Sequence, residues 1–333
     1  MKERAYGYDN LKFLLILAVV MGHLINSFTD ESDFFRGICV FIYSFHMPLF
    51  IFVSGLFQKP YKKGSLDVNR IISFCMIGFL AKMLMFTWGT VVGRNPKFEM
   101  FGQDGIPWFM FVLAVYMVLM YLLRDVKLSV LLVFAVVMGC FAGYDKNLGD
   151  FLYLSRIFVY FPFYVLGYHL EPQQVLDFAQ KKVIKIAAIV CIIVMIFVCT
   201  EYTELIYKFR PLLTGRNPFS ENMLAHGGAF LRLFCYGLTC CMGVSLISLI
   251  PKKRLSLISV WGQRTLAVYF WHQCIIKSLI HFGISDKIFT WGIVGKIILI
   301  IIPVVVTMFL SLRIFSVPLD YIMKNITVKK AQG

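Results

Sequence analysis

Long apolar runs, each closed by a short polar or basic segment, alternate along the whole chain. Most run to about 17–25 residues, which is what a helix rising 1.5 Å per residue needs to cross a hydrocarbon layer about 30 Å thick. Ten such spans are expected, near residues 8 to 28, 37 to 57, 71 to 92, 107 to 123, 128 to 143, 151 to 170, 183 to 199, 225 to 250, 258 to 280 and 292 to 315. The fifth and the seventh are the shortest. The fold class is therefore all-α and integral to a membrane, with about ten transmembrane helices. No internal repeat and no stretch long enough for a second folded domain interrupts the pattern, so residues 1–333 form a single membrane domain.

Composition agrees. The chain is 59% hydrophobic and only 15% charged, and its mean hydropathy is +0.77. No soluble core can absorb that much apolar surface. The net charge of +15 does not point to nucleic acid, because the basic residues sit in short loops between apolar runs rather than along one helix face. Their distribution orients the chain instead. With the N-terminus inside, eighteen Lys and Arg residues fall on the inner side and eight on the outer, and every inner loop carries at least two. Both termini are then cytoplasmic, in a multi-pass protein of the cell (inner) membrane. The nine cysteines show no CxxC or Cys/His spacing and lie mostly inside apolar runs, so neither a metal site nor a disulfide framework is expected.

The longest loop, about residues 200 to 224, lies on the outer side and mixes Tyr202, Tyr207, Phe209 and Phe219 with Glu201, Glu204, Arg210 and Arg216. It is either an ordinary surface loop or a functional lid, and its aromatic and charged groups would suit a sugar.

An ionisable residue inside a span is costly unless it faces the bundle interior, so each one marks a candidate site. In the first span Lys12 and His23 are eleven residues apart, which at 100° per residue leaves them about 20° from each other on one face and roughly 16 Å apart along the axis. Asp9 and Asn26 lie near the same side. In the second span His46 precedes Pro48 by two residues, and the proline removes a helical hydrogen bond and frees the carbonyl of Ser44. Irregular backbone at that depth implies a protein-lined cavity. In the ninth span Trp261, Thr265, Tyr269 and His272 form another one-sided polar stripe. Three histidines at comparable depth favour function over packing. A metal is disfavoured, because no carboxylate joins them near that depth and no i, i+4 histidine pair exists. Arg156 and Arg232, just inside the outer ends of the sixth and eighth spans, are candidates to hold an anionic or hydroxyl-rich acceptor, together with Tyr269 and Trp108.

Four segments resemble a known family, the integral membrane acyltransferases of type 3, and especially its fucose 4-O-acetylase-like branch. They are YDNLKFLLILAVVMGH (8 to 23), FHMPLFIFVSGLF (45 to 57), PWFMFVLAVYMV (107 to 118) and WGQRTLAVYFWHQ (261 to 273), with FPFYVLGY (161 to 168) in support. The resemblance covers essentially the whole chain. It implies transfer of an acyl group, usually acetyl, from cytoplasmic acyl-coenzyme A to a hydroxyl of a carbohydrate or cell-surface glycan, and it matches His23 to the family's essential first-span histidine. It also implies a coenzyme A site of basic residues at the inner face, where the family commonly has an Arg-x-x-Arg pair at the start of the third span. Here only Arg70 fits. Asp67 and Ser73 break the pair, so Lys62, Lys63 or Lys12 would have to replace the missing phosphate contact.

Acyl transfer from a thioester needs a base for the acceptor hydroxyl and a path joining donor to acceptor. Burial keeps the imidazole of His23 neutral and available as base, while His46 or His272 would orient it or stabilise the developing oxyanion. An acyl-histidine intermediate fits the same residues. The alternative class is a transporter or flippase of a sugar or lipid-linked glycan, for which a polar channel would also serve.

Overall fold

The computed structural model describes residues 5–58, 66–98, 107–149, 151–220 and 226–326. Lys62 and Lys63 lie outside these residues. Among the described residues every regular element is a helix. α1 covers Tyr6–Ile25, α2 Asp33–Tyr43, α3 His46–Leu56, α4 Val68–Val91, α5 Trp108–Leu122, α6 Leu128–Phe141, α7 Leu154–His169, α8 Pro172–Ala179 and α9 Lys182–Glu201. Then come α10 Thr203–Tyr207, α11 Arg210–Leu213, α12 Gly228–Leu249, α13 Ser256–Gly262, α14 Thr265–His281, α15 Ile284–Phe289, α16 Ile293–Leu310 and α17 Arg313–Asn325.

Seven segments are long and apolar enough to cross a membrane: Tyr6–Phe28, Asp33–Leu56, Val68–Val91, Phe151–His169, Lys182–Glu201, Gly228–Leu249 and Ile293–Leu310. They match seven of the ten expected spans. The fourth and fifth spans form the shorter apolar helices Trp108–Leu122 and Leu128–Phe141. The ninth is divided between α13 and α14, because Gln263 and Arg264 turn away, Arg264 donating to the Ser311 carbonyl at 3.0 Å and Gln263 to Asp9 at 3.3 Å.

The second span breaks at Ser44 and Phe45, where Pro48 was expected to free the Ser44 carbonyl, and the His46 imidazole bridges the break by bonding the Ile42 carbonyl at 2.9 Å. Two further spans end differently from expectation. The seventh is not short, since its helix starts at Lys182 and continues through Thr200 and Glu201. The tenth stops at Leu310 rather than 315, where Ser311 turns its hydroxyl back on the Thr307 carbonyl at 2.7 Å, and a separate amphipathic helix, α17, begins at Arg313.

The outward surface is apolar, unlike that of a soluble protein, and several polar side chains are buried within the hydrophobic core. Val183, Ile193, Ile293 and Val133 are exposed, whereas Arg232, His272 and Ser259 are fully buried. This is what lipid as solvent selects. The N-terminal half of α1 is tied to the lower end of the bundle by Asn10, which donates to the Pro251 and Lys253 carbonyls (2.8 and 3.0 Å) and accepts from Ser259 at 2.6 Å. Its other end, with α2, α10 and α11, defines the upper end.

Candidate active site

Two cavities lie one above the other against α1. The upper one, about 300 Å³, is lined by His23 and Asn26 of α1 and its extension, Tyr43 and His46 at the α2/α3 break, Trp108, Arg156, Tyr160 and the segment from Arg210 to Asn217. The lower one, about 230 Å³, is lined by Lys12, Arg70, Phe57, Phe74, Thr265 and Tyr269 among others. Val19 and Met47 line both. The partition between the cavities is therefore these two apolar side chains, both nearly fully buried.

The helical spacing of α1 creates this arrangement. Lys12 and His23 share one face, so the same helix puts an ammonium at the lower mouth and an imidazole on the floor of the upper cavity. His23 is exposed although it lies deep in the bundle, because its accessible surface is cavity wall. Its ring centroid is 5.3 Å from that of His272, and it has no hydrogen-bond partner among the described residues. Both ring nitrogens are thus open to a ligand.

The other two histidines are held by backbone. His272 has Nδ1 at 2.9 Å from the carbonyls of Val268 and Tyr269, and His46 has Nδ1 at 2.9 Å from that of Ile42. A carbonyl only accepts, so Nδ1 carries the proton in both rings, and in the neutral rings Nε2 presents a lone pair. The Nε2 of His272 is buried and meets no partner.

Arg156 lies with its guanidinium 4.4 Å from the Trp108 ring, and Trp108 stacks on Tyr160 at 5.8 Å. Arg232 sits elsewhere. It is buried behind the segment 203–219, where it donates to the Leu212 carbonyl and lies 5.7 Å from the Phe219 ring. Its neighbours fasten the same segment: Tyr160 donates to the Leu213 carbonyl at 3.0 Å, and Ser155 to that of Gly215 at 2.9 Å. Gly215 has a φ of +62° and approaches the Tyr160 ring so closely that a Cβ would lie 2.9 Å from it, so only glycine suits that turn. Arg210, from the same segment, donates to the Asn26 amide oxygen and to the Tyr207 hydroxyl at 3.0 Å. The long polar segment is thus a fastened roof of the upper cavity.

At the lower mouth Lys12 pairs with Asp9 at 2.9 Å. Asp67, which stands where a second basic residue was sought, caps α4 by accepting from the Arg70 backbone N–H at 3.1 Å. The Arg70 guanidinium lies 5.3 Å from the Phe74 ring on the cavity wall. Tyr269 lines the lower cavity rather than the upper, beneath Trp108 and Arg156. Of the eleven candidate residues, His23, His46, Trp108 and Arg156 share the upper cavity, with His272 touching His23 from behind; Lys12, Arg70 and Tyr269 share the lower; Arg232 lines neither.

Residues that the sequence did not single out are Tyr43 and Met47. Arg210 was named there only within the aromatic and charged mixture of the long loop, without a place in the site. Met47 carried no signal, being one apolar residue in an apolar span. Among the described residues no group of three His, Cys, Asp or Glu side chains is placed to hold a metal ion.

Apolar helices facing outward around an interior of histidines and arginines define a multi-pass membrane protein with a polar site inside the bundle. The chain belongs to the type 3 membrane acyltransferases: it matches that family, described as an acyltransferase domain, over residues 5–313. No curated protein and no solved structure matches it.

Proposed function

We propose that this acyltransferase moves an acetyl group from cytoplasmic acetyl-coenzyme A to a hydroxyl of a carbohydrate or cell-surface glycan, working as one domain across the cell (inner) membrane. The observation that carries the reading is the pair of cavities on one face of α1, which share Val19 and Met47 as a common wall. In this reading the chain crosses the membrane ten times, α5, α6 and α13 with α14 included, and the lower end is cytoplasmic, as the basic loops favour. Coenzyme A binds below, with its phosphates on Arg70, Lys12 and the basic pair Lys62 and Lys63, and its pantetheine arm rises past Met47. The acceptor binds above, between Trp108, Arg156 and the roof.

His23 takes the proton of the acceptor hydroxyl, and the freed oxygen attacks the thioester carbonyl carbon. The tetrahedral intermediate collapses, the C–S bond breaks, and the coenzyme A thiolate leaves with the proton that His23 held. His272 and His46 orient rather than donate. That assignment is supported by their Nδ1 protons, which are spent on backbone carbonyls and leave each Nε2 as an acceptor. Arg232 acts at one remove, by holding the roof through Leu212.

Two measurements test this. Reporter fusions after Pro251 should report cytoplasm and those after Thr214 the outside, and the reverse pattern would move the donor site to the wrong face. Purified protein should bind acetyl-coenzyme A, whereas a sugar transporter has no reason to do so.

A further inference from the structure

The chemistry of the upper cavity is one-sided. Arg156, Arg210 and Arg216 line it with Tyr43 and Tyr160, and no described lining residue is a carboxylate. Of the two amides that line it, Asn26 accepts from Arg210 and Asn217 stands exposed beside Arg216. Arg210 keeps a buried Nε without a partner and makes no ion pair with any described carboxylate. Arg156 is stacked on Trp108, which fixes the plane of its guanidinium, and Arg216 stands exposed at the mouth. The neutral imidazoles of His23 and His46 and the amide of Asn217 can accept from hydroxyls, but three guanidiniums with no described carboxylate among the lining residues leave an excess of positive charge that a neutral sugar does not match. The planar fork of arginine matches a carboxylate or phosphate with two bonds at once.

We propose that the acceptor is an anionic sugar, bearing a carboxylate or a phosphate, whose charge is held by Arg210 and Arg156 while its ring lies against Trp108 and its reacting hydroxyl meets His23. Arg216 draws the anion to the mouth. The role of His23 here rests on the acyl-transfer reading above; the preference for charge rests on the arginines alone.

The test uses the full chain in nanodiscs of neutral lipid, without donor, and compares binding of glucuronic acid, glucose 1-phosphate and glucose. Binding of acetyl-coenzyme A is measured on the same preparation. At least one anionic sugar should bind about tenfold or more tightly than glucose, since charge-assisted bonds decide the difference. Which of the two binds identifies carboxylate or phosphate. The preference should shrink in Arg210→Gln and in Arg216→Gln, and fall as salt is raised. Arg216 is exposed at the mouth whereas Arg210 is half-buried and bonded to Asn26, so the Arg216 variant keeps the test alive should Arg210→Gln loosen the segment. Glucose binding as tightly as both anions, no anionic sugar binding at all, or a preference that survives both substitutions overturns the proposal. Those results alongside normal acetyl-coenzyme A binding leave the donor reading standing. Anionic-sugar binding without acetyl-coenzyme A binding sinks the donor reading and leaves this one.

Discussion

Replacing Gly167 by alanine puts a methyl carbon 2.1 Å from the Phe52 carbonyl oxygen and 3.0 Å from the Leu56 nitrogen. Gly55, on the facing helix, sits as close: a Cβ there would lie 2.5 Å from the Tyr164 carbonyl oxygen. α3 and α7 are thus packed backbone to backbone, as small residues allow inside a membrane. To reach an ordinary contact beyond 3.4 Å from 2.1 Å, the helices must part by about 1.3 Å. Overpacking of that kind costs about 1–3 kcal/mol. α7 carries Arg156 and Tyr160 and α3 carries His46 and Met47, so the opening also reaches both the upper cavity and its partition. Thermal melting of detergent-purified protein should show a lowered midpoint for Gly167→Ala and a smaller drop for Gly55→Ala. The double variant should lose less than the two losses added, because both open one seam. Gly237, with nothing within 4 Å of its Cβ position, is the control. An unchanged midpoint in Gly167→Ala, or an equal drop in Gly237→Ala, would refute the seam.

The remaining predictions concern the two cavities. His272→Ala and His46→Ala should each lower acyl transfer less than His23→Ala, because they act on the orientation of His23 and not on the substrate proton; equal losses in rate assays would argue that one of them holds that proton. Arg70→Ala should weaken acetyl-coenzyme A binding measured by calorimetry more than Lys12→Ala does, since Asp9 already neutralises part of the Lys12 charge; wild-type affinity in Arg70→Ala would remove it from the donor site. Met47→Trp should suppress transfer more than it weakens acetyl-coenzyme A binding, by thickening the partition, and transfer at the wild-type rate would show that the acyl group takes another path.

Much of this fold was legible as a pattern of lengths. Run length and loop charge need no partner to be read, so the apolar spans emerged from the sequence, and the shared face of Lys12 and His23 followed from one helix's own geometry. What failed depends on neighbours. Arg232 and Arg156 look alike on their helices, each one-sided near the same end, but only the packing decides that one fastens the roof and the other faces the cavity. Tyr269 and His272 share a stripe, yet Tyr269 lines the lower cavity while His272, about 4.5 Å further along the helix, backs the His23 ring of the upper one. The break at Ser44 was legible from Pro48, and the role of the His46 imidazole in bridging it was not. The seventh span was underestimated because Thr200 and Glu201 look like loop, and inside a helix that ends at the upper surface they are tolerated.

The central claim is that His23, open on the cavity floor and backed by His272, is the base for acyl transfer. The most direct measurement is acylated glycan quantified by mass spectrometry from cells carrying His23→Ala at matched membrane abundance, with acetyl-coenzyme A binding measured on the purified variant. Binding should persist while transfer falls by on the order of 10²–10⁴, the usual contribution of a general base. Full acylation by His23→Ala would contradict the account and bring the transporter class forward.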